Sequence, residues 1–244
     1  MPQPSKIAIV AALEREVRPM TKNWRASRRG YHGRDYKFYE SESAVLVCCG
    51  MAAEPARRAT EAVISLYAPD LVLSVGFAGA LDRQLGVGDV IFPSRIIDAR
   101  DGSVTQAIGS GTLVSYASVA DAPQKSKLAR AYNAQLVDME AAAVARGAEA
   151  RGVRFAAVKV VSDASDHAVP VMDRFITHDG QFSSAKFVAF VALRPWLWAS
   201  VLRLARNSSR AANALCQALN GYLEHPETLE NSAVGWHPMK RAKI

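Results

Sequence analysis

Apolar runs of strand length alternate with mixed stretches along most of the chain. Residues 6–13 form a continuous apolar run and predict a strand buried on both faces, closed by a charged turn at Glu14-Arg15-Glu16. Residues 36–39 and 44–48 flank polar positions and predict a hairpin. Gly50-Met51 opens a helix over 52–67, which Pro69-Asp70 breaks. Residues 71–75 predict a second buried strand. Gly76-Phe77-Ala78-Gly79 forms a turn at its tip, where small residues let a ligand approach the backbone. Residues 86–92 give a turn and a strand ended by Pro93, 98–111 a loop or edge hairpin, 113–116 a short strand, and 121–133 a weak helix.

Residues 135–137 form a short apolar strand that enters an Ala-rich helix over 141–151, with Asp138 and Glu140 at the join and Gly152 at the end. Residues 155–161 predict the last strand, ending in Ser162-Asp163. Repeated strand-then-helix units imply an α/β fold: a single domain with a central mixed, mainly parallel sheet flanked by helices. The character changes after 187. A helix over 187–193 is interrupted by Arg194-Pro195, and Trp196, Trp198, Val201, Leu202 and Leu204 then share a helical pattern with Arg203, Arg206 and Arg210. The chain therefore divides into a catalytic domain over 6–193, a Trp/Arg helix over 194–223 and a polar tail over 224–244, the tail's character beginning at Tyr222.

At 244 residues and 50% hydrophobic, the chain can bury a sizeable core. It has no uninterrupted apolar run of about 18 residues, which a spanning helix needs. Residues 1–6 lead straight into the first strand without signal-peptide architecture. Cys48, Cys49 and Cys216 are odd in number and suit a reduced cytosolic compartment, as small core residues. The formal charge is +7. Its basic excess gathers near the end of the chain, which argues against a nucleic-acid channel and leaves nucleic acid out of the expected partners. Tryptophans beside arginines on an apolar helix fit a membrane interface, although the residues alone favour a helix packed on the sheet or on a second subunit.

The candidate chemistry sits at strand ends: Glu16, the Asp138/Glu140 pair, and Asp163. Asp138 also suits a helix cap. His167 and His178 match no metal spacing and read as surface or loop residues, so no metal is expected. Phosphate loops, nucleophile elbows and dinucleotide fingerprints are absent. What remains is carboxylate work: one group to protonate a leaving group, one to activate water, and one to hold hydroxyls beside a developing cation. That division suits cleavage of a glycosidic bond.

Residues 7–17 resemble the opening strand and turn of the 5'-methylthioadenosine/S-adenosylhomocysteine nucleosidases, within the purine nucleoside phosphorylase superfamily. Ser74-Val-Gly-Phe-Ala-Gly79 is similar to that family's glycine turn, Val137-Asp-Met-Glu-Ala141 to its ribose motif, and Val161-Ser-Asp163 to its catalytic Ser-Asp. The match runs in order from residue 6 to about 170. The resemblance implies a nucleoside phosphorylase-like fold and an enzyme that releases adenine. Asp163 would protonate N7 with Ser162 holding it. Such an Asp needs burial to keep its proton, or a proton supplied as substrate binds. Glu140 would grip the ribose hydroxyls, Met139 would pack on the sugar, and Glu16 would orient or deprotonate the attacking water. Val119 and Ala120 would fall at the purine contacts, and Phe77, Ala78 and Gly79 of the glycine turn would bind substrate. Phe77 stands where the family has a small residue, 100–134 is shorter, and no aromatic base-stacking residue is evident there.

Residues 187–210 are similar to the hopanoid-associated phosphorylases, which act on adenosylhopane. That similarity implies a nucleoside substrate with a lipid 5' substituent, a role in hopanoid biosynthesis, peripheral contact with the inner face of the membrane from the cytoplasm, and a homodimer. A nucleosidase for methylthioadenosine or S-adenosylhomocysteine is the alternative, with the Trp-rich helix merely packed. A peripheral binding protein that has lost the chemistry is the third expectation. No cofactor is expected. Phosphate as co-substrate stays open, since Glu16 favours water whereas Arg57 and Arg58 lie near a helix start, either as an anion site or as solvated surface arginines.

Overall fold

The computed structural model describes residues 6–166, 175, 177 and 183–225. Strands β1 (Ile7–Ala11), β4 (Ala44–Cys48), β5 (Leu71–Ala80) and β11 (Arg154–Asp163) form the parallel centre of an 11-stranded sheet, with β5 between β1 and β11. Their apolar runs are buried on both faces, and each fully buried Val, Ile or Leu contributes about 1.5–3 kcal/mol. The outermost pairing on each side is antiparallel. On one side β4 continues to β3 (Arg34–Glu40) and β2 (Arg25–Tyr31). On the other, β10 (Leu136–Asp138) runs antiparallel to the end of β5 and leads to β9 (Thr112–Ser115), β7 (Arg95–Asp98) and β8 (Val104–Gln106). Strand β6 (Val90–Ile91) pairs antiparallel with β11. The sheet is thus mixed, parallel where it is most buried.

Helices cover both faces. Helices α2 (Ala53–Tyr67) and α4 (Ala141–Glu149) pack together and bury a small-residue seam through Ala56, Ala59 and Ala148. Helices α1 (Glu14–Thr21) and α6 (Trp198–Glu224) share the other layer, where Val17 and Met20 meet Ala211, Leu215, Cys216, Leu219 and Tyr222. Helix α3 (Ala122–Tyr132) follows β9 and begins with a capping box, the Asp121 carboxylate accepting from Gln124 N at 2.8 Å. Helix α5 (Ser184–Ala192) and a one-turn 3-10 helix (Pro195–Leu197) precede α6.

Three expectations from sequence are corrected and one strand is added. Residues 14–16 are not a turn but the first turn of α1, because Val17 and Met20 reach the core beneath α6. Residues 76–79 are not a turn either: β5 runs through them, paired to β11 as far as Gly79 and to β10 at Gly79 and Ala80. The polar β2 adds an edge strand held by its backbone ladder to β3. Helix α6 extends to Glu224 with Tyr222 buried, so helix and not tail begins the last stretch; residues 226–244 lie outside the described residues.

The Trp/Arg helix is divided along its length. Its C-terminal half is packed, whereas Trp196, Trp198 and Leu202 are 73%, 51% and 59% exposed, with Leu193 and Val188 exposed beside them. Among the described residues no single helix is long and apolar enough to cross a membrane.

Candidate active site

The carboxyl ends of β1, β5, β10 and β11 meet at one edge of the sheet, where open α/β folds bind ligands. All ten candidate residues line one cavity there: Glu16, Phe77, Ala78, Gly79, Val119, Ala120, Met139, Glu140, Ser162 and Asp163. The cavity holds about 120 Å³. Through Arg15, Leu204 and Ser208 it borders a larger groove of about 700 Å³ between α1 and α5–α6, lined by Phe187, Val188, Val201 and Ala205.

Glycines in β5 make room for the acids. A Cβ on Gly76, whose φ is +145°, would lie 2.8 Å from Glu16 Oε2. A Cβ on Gly79 would lie 3.2 Å from Asp163 Oδ2 and 3.1 Å from Lys125 Cε. A second local device acts on β11. Its register with β5 shifts between Val161 and Asp163, so Ser162 is an inserted residue. Consecutive strand residues normally face opposite sides, and the bulge lets both Ser162 and Asp163 line the cavity. Ser162 Oγ donates to Asp163 Oδ1 at 2.7 Å.

One ammonium lies among three carboxylates. Lys159 interrupts the apolar run of β11 and is 1% exposed; its Nζ is 2.8 Å from Asp138 Oδ2 and donates to Ser74 Oγ at 3.1 Å. Asp138 is saturated: Oδ1 accepts from Ser115 Oγ at 2.6 Å and Oδ2 from the Ala141 N–H at 2.9 Å, at the start of α4. Glu140 accepts from the Ala52 N–H at 2.8 Å and the Met139 N–H at 3.3 Å. Ala52 pays for that contact with a φ of +94°, uncommon for a residue with a side chain.

Burial dominates the electrostatics. It pushes the Glu16 carboxyl up to about 7, the Leu13 N–H and the Lys159 charge offsetting it in part. Burial also raises Glu140, with the neighbouring Asp138 charge adding to the effect and Lys159 opposing it. For Lys159, burial alone would lower its proton affinity, but the charges of Asp138, Glu140 and Glu16 outweigh it and the net direction is up. Burial thus holds both Glu16 and Glu140 above the ordinary carboxyl range, with the single Lys159 ammonium opposing the rise in each.

Sequence reasoning missed Lys125 and Lys159. A lysine inside an apolar strand was a visible signal for Lys159. Nothing local marks Lys125, which is 2% exposed on α3. Ser74 and Ser115 were also missed, their roles depending on pairing across the sheet. Arg57 and Arg58 are partly exposed on α2 and paired with Glu54 and, for Arg57, Glu61. Cys48 and Cys49 are partly buried and Cys216 is buried, all three as free thiols. His167 and His178 lie outside the described residues, among which no cluster of His, Cys, Asp or Glu has the geometry to hold a metal ion.

A model of the phosphorylase superfamily matches residues 6–119 and 108–192. The 5'-methylthioadenosine/S-adenosylhomocysteine nucleosidase of Staphylococcus aureus (strain MRSA252) is 27% identical over 226 residues, covering 76% of this chain and 99% of that protein. Among solved structures, Arabidopsis thaliana 5'-methylthioadenosine nucleosidase in apo form superposes with a TM-score of 0.68 at 20% identity, over 96% of this chain and 98% of that one. Futalosine hydrolase of Helicobacter pylori strain 26695 superposes at 0.63 and 17% identity, over 89% and 98%.

Proposed function

The chain belongs to the phosphorylase superfamily, and on that footing we propose that it cleaves the N-glycosidic bond of a 5'-substituted adenosine and releases adenine. The observation that carries this is the gathering of Asp163, Glu140 and Glu16, buried, around one cavity. Asp163, held by Ser162, delivers a proton to N7 as the bond to C1' breaks. The purine leaves with the bonding electron pair, and an oxocarbenium-like sugar remains. Glu140 binds the ribose hydroxyls, with Met139 against the sugar. Glu16 takes a proton from the water that attacks C1'. Phe77, Ala78, Gly79, Val119 and Ala120 surround the base.

Water is the proposed nucleophile, because the carboxylate of Glu16 faces the cavity while Arg57 and Arg58 are engaged by glutamates on α2. The Staphylococcus aureus relative and the Arabidopsis structure favour methylthioadenosine or S-adenosylhomocysteine as substrate. One observation favours a bulkier, lipid-like 5' substituent, as in adenosylhopane: the cavity borders an apolar groove beneath α5 and α6, near the exposed Trp196 and Trp198. On that second reading the exposed half of the Trp/Arg helix rests on a membrane surface and the groove takes the substituent.

The test is adenine release, followed by chromatography, from methylthioadenosine, S-adenosylhomocysteine and adenosylhopane in vesicles, each with and without phosphate. Turnover independent of phosphate is expected for at least one of the three. A preference for the first two supports the nucleosidase assignment, and a preference for adenosylhopane supports the lipid one. Folded protein that releases no adenine from any of them overturns both.

A further inference from the structure

The acid at the centre of that chemistry does not stand alone. Lys125 projects from α3 onto Asp163: its Nζ forms an ion pair with Asp163 Oδ2 and donates to the Ala164 carbonyl at 2.7 Å. The two side chains are 2% and 11% exposed. Ser162 occupies the other carboxylate oxygen, so Asp163 is gripped at both. The setting is shaped for this pair. Gly79 leaves out the Cβ that would crowd both Lys125 Cε and Asp163 Oδ2, and the capping box at Asp121 with the buried Leu128 fixes α3 against β9 and β10.

A buried ion pair is weak evidence of a stabilising role, because the desolvation of both charges offsets their attraction. Its place on the acid of a leaving-group reaction suggests another use. In an ion pair Asp163 is a carboxylate with no proton to give, whereas Lys125 carries three.

We infer that Lys125 acts through Asp163 as a positioning residue and as the source of the proton given to the departing base, an inference that rests on the adenine-releasing reaction proposed above. As the C1'–N9 bond breaks and its electron pair passes to the purine, a proton moves from Lys125 Nζ to the Asp163 carboxylate, and a proton moves from Asp163 to N7. Asp163 ends as it began, Lys125 is left as a neutral amine, and adenine leaves neutral. The water that attacks C1' loses its proton to Glu16, and Lys125 is recharged from solvent after the base has gone.

The test separates leaving groups that need a proton from those that do not. Wild-type and Lys125→Met chains are assayed on 5'-methylthioadenosine and on p-nitrophenyl 5-methylthio-β-D-ribofuranoside, whose nitrophenolate departs unprotonated. Lys125→Met is expected to lower kcat for adenine release by about 100-fold with KM little changed, and to affect the nitrophenyl glycoside far less. An equal loss on both substrates, or adenine release at the wild-type rate, overturns the inference and leaves the proposed reaction standing. Wild-type protein that releases no adenine overturns the reaction and the inference with it.

The Asp163→Asn background gives a second arm that removes both charges together. There, adding Lys125→Met is expected to change adenine release by less than about twofold, because Lys125 has lost the group it acts through. A further drop of about tenfold or more shows Lys125 working independently of Asp163 and overturns the inference.

Discussion

Gly76 and Glu16 fit directly against each other: a β-carbon on the glycine would lie 2.8 Å from the carboxylate's Oε2, closer than real β-carbons approach. The glycine's φ of +145° is also one that side chains resist. Strand β5 therefore admits the acid only through a missing side chain. Gly76→Ala is expected to cost about 1–3 kcal/mol of stability through backbone strain alone. Turnover should fall at least about tenfold, as a displaced Glu16 no longer orients water. Denaturant melts and adenine release check both, and a variant with wild-type activity contradicts the placement of Glu16.

Asp163→Asn keeps the shape of the side chain and removes its acid. Loss of general acid catalysis typically costs about 10²–10⁴ in rate, and kcat should fall within that range with circular dichroism unchanged. Ser162→Ala, which frees only one carboxylate oxygen, should cost less. Unchanged turnover in Asp163→Asn takes this residue out of the chemistry.

The raised Glu16 makes activity and stability respond oppositely to pH. The folded chain holds the Glu16 proton up to about pH 7, whereas an unfolded carboxyl releases it near the ordinary value of 4.5. Between those values the folded state binds more protons, so stability falls as pH rises through the window, by roughly 3 kcal/mol at full effect. A base for water must be ionised, so kcat/KM should climb through about pH 7. Glu16→Gln should flatten that limb and lessen the loss of stability. A limb that survives the substitution assigns it to another group.

Much of this fold was legible because the central strands are buried on both faces and read as apolar runs, unbroken in β1 and interrupted by Ser74 in β5 and by Lys159 in β11. The ten cavity residues were found through strand ends and family resemblance. What escaped was decided by tertiary pairing. Strand β2, of sequence Arg-Ala-Ser-Arg-Arg-Gly-Tyr, has no apolar face to read and exists by virtue of its ladder to β3. Helix α1 holds Pro19 and a charged first turn, and its packing against α6 and the sheet explains why it is a helix. Lys125 lies 38 positions from Asp163, a pairing that no local pattern encodes.

Lys159 is the counter-charge of the cluster, and its removal leaves Asp138 buried without it. Lys159→Met is expected to destabilise the chain by about 3–5 kcal/mol. Adding Asp138→Asn should recover part of that loss, since it removes the orphaned charge. Chemical denaturation of the single and double variants measures this, and additive losses contradict the pairing.

Trp196 and Trp198 make no part of the core. If the exposed half of the helix meets a bilayer, replacing both with Ala should lower co-sedimentation with anionic vesicles several-fold and leave the thermal midpoint nearly unchanged. Vesicle binding equal to wild type removes the two tryptophans from any membrane contact.

Adenine release in isotopically labelled water bears most directly on the central claim. The wild-type chain is incubated with 5'-methylthioadenosine and with the bulkier 5'-substituted adenosines in phosphate-free H₂¹⁸O, and the products are separated and weighed by mass spectrometry. Free adenine together with a pentose carrying one ¹⁸O atom at C1 is the expected result. Intact nucleoside in every sample, from protein that remains folded, contradicts it.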